Sequence, residues 1–191
     1  MKPKTKDMLV VLIVIIVLVA AVVIFYLSSL QKQNTIKIGF IGPITSSAAK
    51  YGSHEAVSLA VEEINQQGGI NGKQITLISE DGRCDSKEAV SAVNKLISVD
   101  NVKIILGGHC TPESVAIAPI VEKNKVIMLA SITTTPVLTP MGDYVFRTSP
   151  ISTIQSDLIA DLSYNKLGLR NFAIIYEQTD YARPIAEKLK Q

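Results

Sequence analysis

The segment from Gly107 to Ser114 brings together two glycines, a histidine, a cysteine and several hydroxyl groups between a predicted strand and a predicted helix. Gly107 and Gly108 let the backbone turn, Thr111 occupies the expected N-cap position, and Pro112 suits the first helical position. Backbone N–H groups at a helix N-terminus attract anions. We therefore predict a carboxylate-binding loop centred on Thr111, with simple helix capping by Thr111 as the alternative.

A second group of hydroxyls follows the next predicted strand, in the run from Thr133 to Pro136. This run offers three threonine hydroxyls and backbone donors beside the first loop. Two tyrosines, Tyr51 and Tyr181, lie on predicted loops and are candidate aromatic walls for a bound molecule. The alternatives are a proline-containing turn for the threonines and partly exposed surface aromatics for the tyrosines.

The chain has two cysteines, Cys84 and Cys110. In an oxidising compartment an isolated pair most simply forms one disulfide. Closing this loop of about 27 residues contributes roughly 3–4 kcal/mol in the chain-entropy model. Metal binding with His109 is a weaker alternative, because the CxxC spacing of metal sites is absent from the sequence. A thiol nucleophile beside His109 is a further alternative, which a disulfide would remove.

Catalytic patterns are sparse. His54 and His109 are the only histidines, and the sequence contains no G-x-S-x-G, H-E-x-x-H or P-loop motif. The stretch Gly39 to Pro43 lacks the glycine spacing of a dinucleotide site, so no cofactor and no metal are predicted. A net charge of +2 with interspersed signs gives no indication of nucleic acid binding. We predict that the chain is not an enzyme.

The N-terminal segment Met8–Leu27 contains no charged residue, glycine or proline. A helix of this length spans roughly the 30 Å hydrocarbon core of a bilayer. Lysines precede it, so the positive-inside rule predicts a cytoplasmic tail (1–7), a transmembrane anchor (8–28), a linker (29–34) and an extracytoplasmic domain. A cleaved signal peptide is the alternative, although the run is long and no A-x-A cleavage site follows.

Short β-branched runs alternate with amphipathic segments after the linker. Asp85 with Glu88 and Ser152 with Gln155 have the spacing of capping pairs. Alternating strands and helices predict an α/β fold with a doubly wound parallel sheet, in which ligands bind beyond the carboxyl ends of the strands. The strands are predicted at 36–41, 75–79, 103–106, 126–129, 144–147 and 172–176, and the helices at 55–67, 85–98, 112–122, from 153, and 182–190.

Several of these motifs together resemble the type I periplasmic binding proteins, in the leucine/isoleucine/valine-binding branch of ABC-transporter receptors. The resemblance covers nearly all of residues 35–191. The motifs are IKIGFIGP from Ile36, AVEEIN from Ala60, GGINGK from Gly68, DGRCDSKEAV from Asp81, and FRT from Phe146.

This resemblance implies two α/β lobes that close on a ligand between them. The first lobe would span 35–148, and 149–191 would begin a second, incomplete lobe. In this family hydroxyls and backbone N–H groups of the first lobe hold the ligand carboxylate, and the family disulfide joins positions that match Cys84 and Cys110. The ligand residues implied for this chain are Tyr51, Thr111, Thr133, Thr134 and Tyr181.

The function implied is a membrane-tethered solute-binding protein for a small amino acid of branched-chain type, or an amide. Its partners would be that ligand, an ABC transporter permease and the membrane. The alternative is a sensing ectodomain of the same fold in a signalling complex. The acidic residue that binds the ligand ammonium in this family lies in the second lobe beyond residue 191, so we expect a fragment or a truncated gene.

Overall fold

The computed structural model describes residues 13–25 and 35–191. Residues 13–25 form a helix, α1, whose side chains are all exposed. Within the described ranges, no helix has both the length and the apolar character needed to cross a bilayer. The two ends of the predicted anchor (8–28), the tail (1–7) and the linker (29–34) lie outside the described residues.

The centre of the domain is a five-stranded parallel sheet with the spatial order β2-β1-β3-β4-β5. The prediction of a parallel α/β sheet is therefore confirmed. Paired positions such as Gly42 with Asp81 and Leu106 with Leu129 bring the carboxyl ends of the strands to one edge. The strands are β1 (Thr35–Gly42), β2 (Gln74–Asp81), β3 (Ile104–Leu106), β4 (Ile127–Ala130) and β5 (Val145–Arg147).

The helices cover both faces of this sheet. Successive strand residues point to opposite faces, so Ile41 is buried in the core formed with α3 and α4 while the Phe40 ring packs against His54 of α2. The helices are α2 (Ser53–Gln66), α3 (Ser86–Ser98), α4 (Thr111–Asn124), α5 (Thr153–Asp161) and α6 (Ala182–Leu189).

One predicted cap forms and another does not. The Asp85 carboxylate accepts hydrogen bonds from the backbone N–H groups of Lys87 and Glu88, as predicted for the start of α3. The predicted cap at Ser152 is wrong. Ser152 has helical backbone angles (φ −62°, ψ −25°), whereas a capping residue usually has extended ones, and its buried hydroxyl has no hydrogen-bond partner among residues 13–25 and 35–191.

The strand predicted at 172–176 is also wrong, because this segment forms no regular structure. Its alternating apolar residues fit a strand, but a strand needs a neighbour to satisfy its backbone groups. None of the described strands pairs with it, and the Ile175 side chain is 98% exposed.

Candidate functional site

A cleft of about 610 Å³ opens beyond the carboxyl edge of the sheet. Its lining comes from the loops that follow β1, β3 and β4 and from the segment before α6. All five ligand residues expected from the sequence line this cleft: Tyr51, Thr111, Thr133, Thr134 and Tyr181. Four of these residues come from the three loops that follow β1, β3 and β4, which the parallel sheet brings to the same edge.

Thr111 was predicted to be the N-cap of α4, but it is the first residue of the helix, and Cys110 occupies the cap position. Cys110 is the last residue with extended backbone angles (φ −92°, ψ 153°), so the helix begins at Thr111, and Pro112 takes the second helical position. The Thr111 hydroxyl makes no hydrogen bond within the described part of the chain. The Thr111 hydroxyl therefore does not cap the helix, and it is free to bind a molecule in the cleft.

Thr133 has a different environment. Its side chain is 2% exposed, and its Oγ1 lies 2.6 Å from the Ser114 Oγ. The same hydroxyl lies within hydrogen-bond distance of the carbonyl oxygens of Gly108 (3.1 Å) and His109 (3.2 Å). Thr133 therefore holds the loop after β3 in place from below the cleft surface. Thr134 lines the cleft, and its carbonyl accepts a hydrogen bond from the Ser152 N–H.

Glu113 is fully buried and connects two loops. Its Oε1 accepts a hydrogen bond from the Cys84 N–H at 2.9 Å, and its Oε2 accepts one from the Cys110 N–H at 2.8 Å. Glycines make room for it, because a Cβ at Gly82 would lie 2.2 Å from the Glu113 Oε1 and one at Gly108 would lie 2.5 Å from its Cβ. Burial raises the pKa of the Glu113 carboxyl, although the hydrogen bonds from backbone N–H groups lower it in part.

Cys84 and Cys110 form a disulfide, with Cα atoms 5.2 Å apart. Together with Glu113 they place two sulfurs and a carboxylate within 4.8 Å of one another. Such a set binds a metal ion only when the cysteines are thiolates, and the disulfide uses both of them. In this state the cluster is a covalent cross-link with a carboxylate beside it.

The loop after β1 is held by Asp81 at the end of β2. The Asp81 carboxylate accepts hydrogen bonds from the backbone N–H groups of Ile44 and Thr45 and from the Thr45 hydroxyl. Burial tends to raise the pKa of Asp81, but the hydrogen bonds outweigh it and the pKa is lowered. This loop leads into the 3-10 turn Ser47–Tyr51, which presents the exposed Tyr51 ring at the cleft.

The segment before α6 completes the lining of the cleft. Thr135 donates a hydrogen bond from its Oγ1 to the carbonyl oxygen of Asp180, which ties this segment to the loop after β4. Tyr181 is 45% exposed and lines the same cleft as Tyr51. Glu177 and Asp180 add two carboxylates from the same segment.

Sequence reasoning did not select His109, Glu177 or Asp180 as cleft residues, and it gave no role to Glu113. His109 is 7% exposed and lines the cleft, and burial lowers the pKa of its imidazole. The signal for His109 was its place between Gly108 and Cys110 in the predicted loop. The hydrogen bond from the Cys110 N–H to Glu113 has the local spacing of a capping box, whereas its bond from the Cys84 N–H had no local signal, because Cys84 is 29 residues away.

Comparison with known proteins places the chain in a family. Residues 35–191 match the family described as "Periplasmic binding protein". The leucine-, isoleucine-, valine-, threonine-, and alanine-binding protein of Pseudomonas aeruginosa is 30% identical over 161 residues, which are 83% of this chain and 43% of that protein. The Leu/Ile/Val-binding protein of Escherichia coli K12 is 27% identical over 166 residues, 85% of this chain and 45% of that protein.

Solved structures agree with this match. The substrate binding protein LivJ of the Streptococcus pneumoniae branched-chain amino acid transporter, in complex with isoleucine, has a TM-score of 0.75 and 30% identity, covering 82% of this chain and 46% of that one. A solute binding protein of an ABC transporter from Rhodopseudomonas palustris, in complex with 3,4-dihydroxy benzoic acid, has a TM-score of 0.73 and 26% identity, covering 83% and 43%.

The chain spans less than half the length of these relatives, at 43–46%. All four are named as binding proteins, which agrees with the prediction that the chain is not an enzyme. The match over residues 35–191 and the shared fold confirm the family indicated by the sequence motifs. The chain belongs to the type I periplasmic binding proteins.

Proposed function

We propose that this chain is the ligand-binding part of a membrane-tethered extracytoplasmic receptor that delivers a small amino acid, of branched-chain type or an amide, to an ABC importer. The observation that carries the proposal is the convergence of Tyr51, Thr111, Thr133, Thr134 and Tyr181 on one cleft. The names of the relatives supply the ligand class, because two are leucine-, isoleucine- and valine-binding proteins.

The ligand carboxylate would bind at the start of α4. The first N–H groups of a helix have no partner within the helix, and the positive end of the helix dipole favours an anion. Thr111 adds a hydroxyl with no partner in the described part of the chain. Thr133 would act through the loop that it holds, since its hydroxyl already contacts Ser114 and two carbonyl oxygens.

The rest of the ligand would lie between the side chains of Tyr51 and Tyr181. Tyr51 and Tyr181 both line the cleft, and both side chains are exposed. A ligand that contacts both sides binds the closed arrangement better than the open one, and therefore shifts the population towards closure. A permease that recognises the closed form would then couple binding to transport.

The membrane tether rests on the N-terminal sequence. Residues 13–25 form an apolar helix with every side chain exposed, and the uncharged run extends from Met8 to Leu27. Lys2, Lys4 and Lys6 precede this run, which favours a cytoplasmic N-terminus and an extracytoplasmic domain.

Isothermal titration of the full chain in detergent tests the proposal. Leucine, isoleucine and valine are titrated in turn, with isoamylamine, which is leucine without its carboxylate, as the matched control. We expect heat of binding with at least one of the amino acids and none with the amine, because the amine leaves the α4 terminus unoccupied. Binding of the amine as tightly as leucine would contradict the carboxylate site, and no binding of any amino acid would contradict the receptor.

A further inference from the structure

We propose that His109 is a specificity-determining residue that hydrogen-bonds a polar group in the ligand side chain. The ligand class would then be small amino acids with a hydroxyl or amide side chain, such as threonine or asparagine, rather than purely aliphatic ones. This inference rests on the proposed function, because it concerns the same cleft.

The environment of the His109 ring is the first observation. The residue is 7% exposed and lines the cleft, yet neither ring nitrogen has a hydrogen-bond partner within the described residues. In the part of the chain that the structure describes, the buried side-chain polar atoms that lack both a partner and solvent contact are the hydroxyls of Ser46, Ser53 and Ser152. The His109 nitrogens are not among them, so they keep contact with solvent, and the cleft is the solvent-filled space that this residue borders.

The other histidine of the chain shows the contrast. His54 lies on α2, its Nε2 is 2.9 Å from the Ser79 Oγ, and its ring packs against Phe40. Its polar group is therefore satisfied by the protein, and His54 does not line the cleft. Only one of the two imidazoles is left to be satisfied by something in the cleft.

A nearly buried imidazole without a partner favours one kind of ligand. Burial lowers the pKa of His109, so the ring is neutral at neutral pH, with one nitrogen as a donor and the other as an acceptor. A ligand hydroxyl or amide can pair with either nitrogen. An aliphatic side chain of the same size would displace solvent from the ring and leave these nitrogens unpaired, which costs binding free energy.

Two pairs of nearly isosteric amino acids test the inference by isothermal titration. Threonine has a hydroxyl where valine has one of its methyl groups, and asparagine has an amide where leucine has its isopropyl group. We expect the wild-type chain to prefer the polar member of at least one pair by about tenfold or more. His109→Leu should remove or reverse this preference, His109→Asn should retain part of it, and the control His54→Leu should leave it unchanged.

The outcomes separate this inference from the proposed function. Binding of amino acids by the wild-type chain with preference for valine and leucine would overturn the role of His109 while the receptor stands. An unchanged preference in His109→Leu would do the same. If no amino acid binds, both fall. Where His109→Leu fails to fold, His109→Asn replaces it, and an undiminished polar preference in that variant would overturn the role of His109.

Discussion

Glu113 accepts a hydrogen bond from the Cys84 N–H at 2.9 Å, which joins the first turn of α4 to the loop after β2, 29 residues earlier in the chain. Its second carboxylate oxygen accepts the Cys110 N–H. One buried side chain therefore holds the backbone of both disulfide cysteines, directly beneath the loop that carries Thr111. The cleft is positioned by this carboxylate as well as by the covalent bond.

Replacing Glu113 with alanine should destabilise the fold strongly. The variant leaves two backbone N–H groups without their acceptor, at about 1–3 kcal/mol each, and adds a cavity. We expect the free energy of unfolding in urea to fall by roughly 2–6 kcal/mol. The control is Glu63→Ala, an exposed glutamate on α2, which should change stability by less than about 0.5 kcal/mol. Similar losses of unfolding free energy in both variants would contradict this structural role of Glu113.

Reducing the disulfide should also lower stability, by roughly 3–4 kcal/mol, because the unfolded chain loses a cross-link between positions 26 residues apart. Urea unfolding with and without reductant measures the difference, with Cys84→Ser/Cys110→Ser as the variant that should not respond to reductant. Thiol labelling of the native protein without reductant should find no free thiol. Two labelled thiols would contradict the pairing.

Local sequence patterns predicted those features that depend on neighbouring residues. Asp85 caps α3 because the N–H groups that donate to its carboxylate, those of Lys87 and Glu88, are only two and three residues away. The strand predicted at 172–176 was wrong because a strand forms only where a neighbouring strand can pair with its backbone groups, and none of the described strands does so here. The predicted cap at Thr111 was wrong by one residue, because Cys110 is the last residue with extended backbone angles before the helix.

The candidate site was predictable where a loop follows a strand, and not where contacts cross the chain. Thr111 and Thr134 follow strands whose carboxyl ends share one edge, so the sheet topology brings them together. From the sequence, Glu113 is an ordinary acidic residue in the first turn of a helix, because nothing in the sequence shows that the Cys84 backbone lies beside it. A sequence shows neither the burial of His109 nor the fact that its ring has no hydrogen-bond partner among the described residues.

Thr133→Val should affect stability more directly than Thr111→Val does. The Thr133 hydroxyl lies among Ser114 and the carbonyl oxygens of Gly108 and His109, and valine fills the same space without a hydroxyl. Leaving Ser114 with one partner fewer should cost about 1–3 kcal/mol in urea unfolding. Thr111→Val removes a hydroxyl with no partner in the described chain and should change unfolding by less than about 0.5 kcal/mol. Equal losses would contradict this division of roles.

Stability should fall as the pH drops below the ordinary histidine pKa of 6.5. Burial lowers the pKa of His109 in the folded state, so the unfolded chain takes up a proton first and is favoured between 6.5 and the folded pKa. Glu113 beside it has a raised pKa and opposes this trend, and Tyr51, Glu177 and Asp180 border the same cleft. The difference between wild type and His109→Asn therefore isolates the histidine.

Thermal melting at about pH 7.5 and about pH 5.5 measures this difference. The melting temperature of the wild type should fall more between the two conditions than that of His109→Asn. An identical fall in both proteins would show that the His109 ring takes up its proton equally in the folded and unfolded chain.

The most direct test of the central claim is isothermal titration of the tightest-binding amino acid into wild type, Thr111→Val and Thr111→Ser. A carboxylate held by the Thr111 hydroxyl loses a hydrogen bond in the valine variant, so we expect binding to weaken by about 1–3 kcal/mol. The serine variant keeps the hydroxyl and should bind nearly as tightly as wild type. Unchanged affinity in Thr111→Val would contradict the account of the cleft as a carboxylate-binding site at the start of α4.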